Sequence, residues 1–242
     1  MQSSGKWNYD FRFGRISGAW RKDHITFSRN REICLMERSD RVLHGTPLSG
    51  HTHRVALLLR MLDLPYRFID APAEVRRSPE FRRLNPLGQV PVLQDDGAVL
   101  CDSNAIMVYL VKRYAPGSGW LPEEPLASAQ VQRWLSIAAG ELMYGPAIAR
   151  MIAQWSMDGD PGHAGRVAGR LLTFMEGHLA GRSYLAADHP TIADLACYSY
   201  VAHAPEGGIL LDPFPEVRAW LGRVEALPGF YAMPRSPVPA AR

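Results

Sequence analysis

Asn85-Pro86-Leu87-Gly88-Gln89-Val90-Pro91-Val92-Leu93 is a turn that runs straight into an apolar stretch. Asn-Pro-Leu-Gly is turn chemistry, and Val-Pro-Val-Leu has the residues of a strand. A proline second in that run lacks the N–H a central strand would use. The conflict disappears if Pro91 stands at the very start of the strand. Proline there is a candidate for a cis bond, because an X–Pro bond loses most of the trans preference. A cis Val90–Pro91 bond would turn the Val90 N–H and C=O away from the sheet, free to pair with an extended peptide. The ordinary alternative is a trans proline between loop and strand, since most X–Pro bonds are trans.

Working outward, Arg41 to Gly45 reads as a short strand and Thr46-Pro47-Leu48 as a turn. Ser49 precedes a helix in which Val55, Leu58, Leu59 and Leu62 fall at i, i+3, i+4 and i+7, and Asp63-Leu64-Pro65 stops it. Tyr66 to Asp70 is a second strand, followed by a polar loop. Ser78-Pro79-Glu80 opens a short helix, with Ser as N-cap and Pro at the first helical position. Val92-Leu93, the Asp95-Asp96-Gly97 turn and Ala98-Val99-Leu100 form a hairpin. Asp102-Ser103 then caps a helix that runs to about Tyr114. The order is βαβαββα, a compact α/β unit with helices on a small mixed sheet. Residues 116–125 hold Gly and three prolines and read as a linker between domains, 41–115 before it and 126–233 after it. Everything beyond reads as helix: Leu126 to Trp155, bent near Gly145-Pro146; Gly165 to Leu179; one opened by Thr191-Ile192-Ala193-Asp194, an Asp form of the capping box with Leu195, Tyr198 and Ala202 on one face; and Phe214 to Leu227. Residues 234–242 are a tail.

The composition excludes several classes. The chain has 242 residues and a formal charge of +3. Residues 1–35 carry seven Lys/Arg and three acids, net +4, which leaves −1 for the rest. A near-neutral body gives no case for nucleic-acid binding. No apolar run reaches the length of a membrane span, and the N-terminus has no signal-peptide core. Cys34, Cys101 and Cys197 form no CxxC pair, which fits a reduced cytoplasmic protein without disulfides or a metal site. Residues 1–40 show no period. Three readings apply to them: translation beginning at Met36, which we favour, a plain disordered extension, and an Arg-rich transit peptide that nonetheless carries acids and lacks an amphipathic stripe.

Four stretches, in this order, resemble the soluble glutathione transferase family over about residues 41 to 232: Ser49-Gly50-His51-Thr52-His53-Arg54-Val55, the Asn85 to Leu93 stretch, Leu100-Cys101-Asp102-Ser103-Asn104-Ala105-Ile106, and Pro190-Thr191-Ile192-Ala193-Asp194. The resemblance implies a thioredoxin-like N-terminal domain followed by an all-α helical-bundle domain. It also implies a transferase that uses glutathione as co-substrate, without a metal, on a small electrophile bound between the domains.

Glutathione is an anionic peptide with a thiol. Its site must hold the peptide backbone, hold the γ-glutamyl end and favour thiolate over thiol. Val90, just before Pro91, suits the cysteinyl backbone with its N–H and C=O, and Gln89 adds a side chain. Ser103 and the free N–H groups at a helix start suit a carboxylate, and Asp102 suits the γ-glutamyl ammonium. The resemblance implies these same roles for Gln89, Val90, Asp102 and Ser103; plain N-capping is the other reading of Asp102 and Ser103. Ser49 is the catalytic candidate: a hydroxyl at the positive end of a helix, donating to sulfur, favours the thiolate. It stabilises the attacking atom and is not itself the nucleophile, and capping is again the alternative. Thr46 and Thr52 are neighbouring hydroxyls that could take the role. The family's tyrosine-type members place Tyr at the end of the first strand, where this chain has Gly45, so it resembles the serine-type theta-like or zeta-like members.

Arg54, in the first turn of a helix, opposes the dipole and is expected to meet an acid or to point to water. His51 and His53 lie on different helix faces and suggest no metal. Cys101 reads as core. Met143, Tyr144, Ile148 and Trp155 are candidates to line the electrophile site, although such a stripe is more often core. The competing activities are a glutathione-dependent isomerase of the zeta type, a peroxidase or disulfide reductase, and a non-catalytic glutathione-binding protein on the same scaffold. Ser49-Gly50-His51 in place of that isomerase's Ser-Ser-Cys counts against the first. The resemblance also implies a homodimer.

Overall fold

The computed structural model describes residues 40–239. The expected extension or alternative start in residues 1–40 lies outside that range, Asp40 apart. Four strands form one mixed sheet: β1 (Val42–Gly45), β2 (Arg67–Asp70), β3 (Val92–Asp95) and β4 (Ala98–Cys101). Their order is β2-β1-β3-β4; β1 and β2 are parallel and the other pairs antiparallel. The helices of this half are α1 (Gly50–Met61), α2 (Ala73–Arg77), α3 (Pro79–Leu84) and α4 (Ser103–Tyr114). The helical half follows with α5 (Pro125–Ala139), α6 (Ile148–Trp155), α7 (Pro161–Leu179), α8 (Ile192–Ala202) and α9 (Pro215–Glu225). This is the α/β-then-all-α class that the sequence pattern implies. Among the described residues no helix is long and apolar enough to cross a membrane.

α1 connects the two halves. Its Val55, Leu58 and Leu59 are buried as the periodicity requires, with Leu62 half-buried, but so are Thr52, His53, Arg54, Ala56 and Leu57 off that stripe. The helix is covered on one side by the sheet domain and on the other by α8, so a one-sided stripe understates it. α8 is likewise buried all round. Leu195 and Tyr198 are core, and so are their neighbours on the other faces, because α1, α5 and α9 surround it. Its start is the expected capping box: Thr191 Oγ1 accepts from Ala193 N (3.2 Å) and Asp194 Oδ2 from Thr191 N (2.9 Å). Asp194 does more than cap. It also takes the Leu185 amide and the Trp220 indole N–H, each at 2.9 Å, tying α9 and the loop before α8 to one buried carboxylate.

Three elements depart from the sequence reading. The single bent helix from Leu126 to Trp155 is two helices separated by Gly140 and a π-helical turn at Met143–Ala147. Pro146 sits in that turn and has no N–H for the ladder, so the wider turn absorbs the break. α7 begins four residues early, at Pro161, where Asp160 Oδ1 caps it by accepting from His163 N at 3.0 Å. Residues 73–77, expected to be loop, form the short helix α2.

Candidate functional site

Three chain segments meet at one end of the sheet. β1 ends at Gly45 and leads into α1. β3 begins at Val92, whose register partners are His44 in β1 and Cys101 in β4. Continuing that register puts the Val90–Pro91 bond beside the β1–α1 turn and next to Asp102-Ser103.

Ser49 is the N-cap of α1, with φ −87° and ψ 116°, and its Oγ accepts from the Thr52 amide at 3.2 Å. Its own amide donates to Thr46 O at 3.1 Å. Ser49 and Thr46 are half-buried, while Thr52 is buried beneath Gly45, with its Oγ1 accepting a long bond (3.4 Å) from Thr46 N. A Cβ on Gly45 would lie 2.1 Å from Thr52 Cγ2, so the strand end has no room for the tyrosine found in other arrangements.

The Val90–Pro91 bond is cis. Asn85, which the sequence reading treats only as turn composition, builds the approach to it. This buried side chain donates from Nδ2 to Gln89 O (2.9 Å) and accepts at Oδ1 from Leu87 N (3.1 Å). Gly88 takes φ +64° there, a conformation that glycine adopts without a side-chain clash. The result leaves Gln89 exposed. Val90 N–H and C=O enter no hydrogen bond among the described residues.

Asp102 and Ser103 divide their work differently from the expectation. Asp102 alone is the N-cap of α4, and its Oδ1 accepts from Asn104 N (2.9 Å) and Ala105 N (3.0 Å). Those two amides are therefore not free for a carboxylate. Asp102 is exposed and has φ +69°, rare for a residue with a side chain. Ser103 is buried, and its Oγ lies 3.4 Å from Arg54 Nη1 and 3.4 Å from His51 Nδ1.

Among the described residues Arg54 makes no ion pair, and it does not reach water. It is 1% exposed, and Nη1 donates to Asn104 Oδ1 (3.1 Å) and weakly to Ser103 Oγ. Its Nε and Nη2 are buried with no hydrogen-bond partner among the described residues. Its guanidinium carbon lies 5.9 Å from the centroid of the Tyr200 ring, a cation–π contact that partly compensates the missing acid. The guanidinium thus sits behind Ser103 and Asn104 and adds positive potential under the start of α4. Burial, and then the Arg54 charge, push the His51 imidazole down to about 3, so it stays neutral at pH 7. His53 faces the other way, to Ser199 Oγ and the Tyr231 carbonyl, each at 2.9 Å. Among the described residues no cluster of His, Cys, Asp and Glu is arranged to hold a metal.

Arg76 on α2 escapes a reading of the sequence because residues 71–77 look like loop. Its Nε is buried without a hydrogen-bond partner among the described residues, and its backbone carbonyl lies against Gly88 in the turn that leads to Gln89-Val90. On the helical side, Tyr144 and Trp155 are exposed and Met143 and Ile148 half-buried. Tyr144 and Trp155 are therefore not core, whereas Met143 packs against the hydrophobic core. Cys101 is half-buried, its Sγ donates to Leu84 O at 3.4 Å, and burial pushes its thiol pKa up.

The glutathione S-transferase N-terminal domain family matches residues 43–119, and the glutathione S-transferase C-terminal domain family matches residues 164–228. Glutathione S-transferase 3 of Zea mays is 30% identical over 217 residues, which are 82% of this chain and 97% of that protein. Maleylacetoacetate isomerase of Pseudomonas aeruginosa is 30% identical over 190 residues, 75% of this chain and 89% of its own. The crystal structure of a glutathione S-transferase from Xanthobacter autotrophicus superposes with a TM-score of 0.74 at 33% identity, covering 80% of this chain and 97% of that one.

Proposed function

Because the chain belongs to the glutathione S-transferase family, we propose that it binds glutathione at the sheet end formed by Gln89, Val90, Asp102 and Ser103, and activates the thiol with Ser49. The observation that carries this reading is the position of Ser49: a half-buried hydroxyl at the N-terminus of α1, beside the cis Val90–Pro91 edge. Val90 offers an unused donor and acceptor to the cysteinyl backbone, in the manner of strand addition. Asp102 keeps Oδ2 for the γ-glutamyl ammonium while Oδ1 caps α4. Ser103, backed by Arg54, meets the γ-glutamyl carboxylate, and Arg76 meets the glycine carboxylate. Ser49 Oγ then accepts from Thr52 N while its O–H donates to sulfur, so the capping and thiolate-holding roles are compatible. Thr52 is a poor rival because it is buried.

The thiolate attacks a small electrophile lying against Met143, Tyr144, Ile148 and Trp155. The sulfur–carbon bond forms as the electrophile's leaving group departs, or as its double bond shifts. We take the protein to work as a homodimer in the cytoplasm; a monomer by light scattering would refute the first part.

The similarity to a maleylacetoacetate isomerase supports a second reading, glutathione-dependent cis–trans isomerisation, in which the same thiolate adds and then leaves. His51 in the place of that class's cysteine weighs against it.

Calorimetry with glutathione, followed by ultraviolet absorbance of the bound thiolate, tests the site. Binding with a thiolate band at pH 7 that disappears in Ser49→Ala is the expected result. Equal loss of affinity and turnover in Ser49→Ala would refute the activation role. Conjugation of a chloronitrobenzene against isomerisation of a cis-enedione separates the two reactions.

A further inference from the structure

Arg150 on α6 is 1% exposed and every nitrogen of its guanidinium is used. Nε donates to Glu206 Oε2 at 2.6 Å, Nη2 to Ser236 Oγ at 3.2 Å, and Nη1 to the carbonyl of Leu48 at 2.8 Å. The last of these bonds crosses from the helical half to the residue immediately before Ser49. The peptide unit between Leu48 and Ser49 is thereby held at both ends: its C=O by Arg150 and its N–H by Thr46 O at 3.1 Å. Fixing that plane fixes the backbone from which Ser49 Cβ and Oγ project.

The clamp is itself braced. Glu206 lies in the 3₁₀ turn Ala204–Gly207, and its Oε1 accepts from His203 Nδ1 (2.6 Å) and from the Ser236 amide (2.9 Å). Gln154 Nε2 donates to both Glu206 O and Pro237 O at 2.7 Å, so the C-terminal tail is strapped across the same point. α6 and the 3₁₀ turn are in direct backbone contact, since a Cβ on Gly207 would lie 2.6 Å from Arg150 N. The Trp155 ring lies over the guanidinium at 5.0 Å. A buried ion pair alone is weak evidence for stability, because apolar side chains of similar volume often serve as well. An apolar pair could not donate to a chosen backbone carbonyl.

We propose that Arg150 is a positioning residue for thiol activation, holding Ser49 through the Leu48 carbonyl, with Glu206 and the tail at Ser236-Pro237 completing the clamp. The inference rests on the reading of Ser49 given above.

The test is the pH titration of the thiolate absorbance of bound glutathione, with kcat and glutathione affinity, in the full chain and in Arg150→Met, Arg150→Lys, Ser49→Ala and the pair Ser49→Ala/Arg150→Lys. Arg150→Met is expected to raise the bound thiol pKa by about one unit, which takes a thiol half-ionised at pH 7 down to about one tenth thiolate, roughly a fivefold loss. kcat should fall with it, while affinity stays within about threefold, because the binding groups lie on other segments. Arg150→Lys should fall between, since an ammonium cannot reproduce the fork of donors. Deletion of residues 236–242 should act in the same direction as Arg150→Lys. The paired variant should match Ser49→Ala alone, showing that Arg150 acts through Ser49. If Arg150→Met does not fold, the lysine variant and the deletion decide. A lowered melting temperature with an unmoved thiol pKa in the Arg150 variants, while Ser49→Ala shifts it, overturns the clamp. Additive shifts in the paired variant overturn the route through Ser49. An unmoved pKa in Ser49→Ala overturns the Ser49 reading itself.

Discussion

Replacing Gly45 with alanine tests the packing that decides which kind of hydroxyl this site can use. The new Cβ would stand 2.1 Å from Thr52 Cγ2, 2.7 Å from its Oγ1 and 3.0 Å from its Cβ. Carbon atoms prefer about 3.5–4 Å, so the methyl contact overlaps by well over 1 Å. Neither side can retreat cheaply. Gly45 is paired with Asp70 and accepts from Ala71 N at 2.8 Å, and Thr52 is in the first turn of a helix packed on both sides. Overpacking of this kind costs about 3 kcal/mol or a little more. Thr52→Ala alone removes one buried methyl and a hydroxyl whose hydrogen bond is long, a loss of about 1–2 kcal/mol. In the double variant the remaining contact is Cβ to Cβ near 3.0 Å, so most of the clash is gone. The double variant should therefore be more stable than the sum of the singles predicts, by about 1–2 kcal/mol. Urea unfolding of the four proteins measures this. A Gly45→Ala loss below about 0.5 kcal/mol, or strict additivity in the double variant, would refute the packing argument. The claim that a strand-end tyrosine has no room would go with it.

The remaining predictions concern pH, the turn and the charge at the site. Burial, only partly offset by the Tyr231 carbonyl, pushes the His53 imidazole down to about 4. Below the ordinary pKa near 6.5 the unfolded chain therefore holds a proton that the folded one refuses, and stability falls as pH falls from there towards 4. Between pH 6.5 and 5 the His53 share is about 2 kcal/mol; urea melts of His53→Gln should show a flatter pH dependence over that window, and an unchanged slope would contradict it. Gly88→Ala sets a side chain at φ +64° with its Cβ 3.1 Å from Arg76 O. It should cost about 1 kcal/mol and weaken glutathione binding in calorimetry. Asp102→Asn keeps a good cap on α4, so stability should change by less than about 0.5 kcal/mol, while glutathione affinity falls roughly tenfold from loss of a charge-assisted bond. Unchanged affinity would remove Asp102 from the γ-glutamyl site.

The elements are legible in the sequence wherever local chemistry decides them. Thr191 and Asp194 sit three apart and form the capping box that this spacing implies, and Asp96-Gly97 turns the hairpin between β3 and β4. What local chemistry does not decide is hidden. Arg54 looks like a surface cation in a first turn, and only the arrival of α8 and α4 from more than forty residues away buries it. Asn85 reads as generic turn composition until both ends of its amide are seen to bridge residues 87 and 89. Arg150 sits in a stretch whose apolar residues draw the eye to a substrate lining, and its partners come from residues 48, 206 and 236, a set that no window of sequence contains. α2 gives no local signal because it starts after Pro72 without a side-chain cap. At the start of α4 the order Asp102-Ser103 is visible, but not that the aspartate takes the amides expected to serve a carboxylate beside the serine.

In the proposed site the thiol is served by a lone hydroxyl at a helix start, and the energies involved are sufficient. An ordinary thiol has a pKa near 8.5, so half-ionisation at pH 7 needs a depression of about 1.5 units, roughly 2 kcal/mol. A helix N-terminus supplies about 0.3–1 kcal/mol at the surface and up to about 2 where partly buried. A hydrogen bond to a charged acceptor adds about 1.5–3 kcal/mol. The two together reach the requirement, provided the hydroxyl and the helix end are aimed at one point and do not relax. Rigidity is therefore the quantity the fold has to supply. α1 is wedged between the sheet and α8, His53 is tied to Ser199 and Tyr231, and the Leu48–Ser49 peptide is bonded at both ends. Loosening any one of these restraints would lower thiolate content before it lowered affinity. In the site we propose, the division between the halves follows: the α/β half recognises the tripeptide, and the helical half holds Ser49 still.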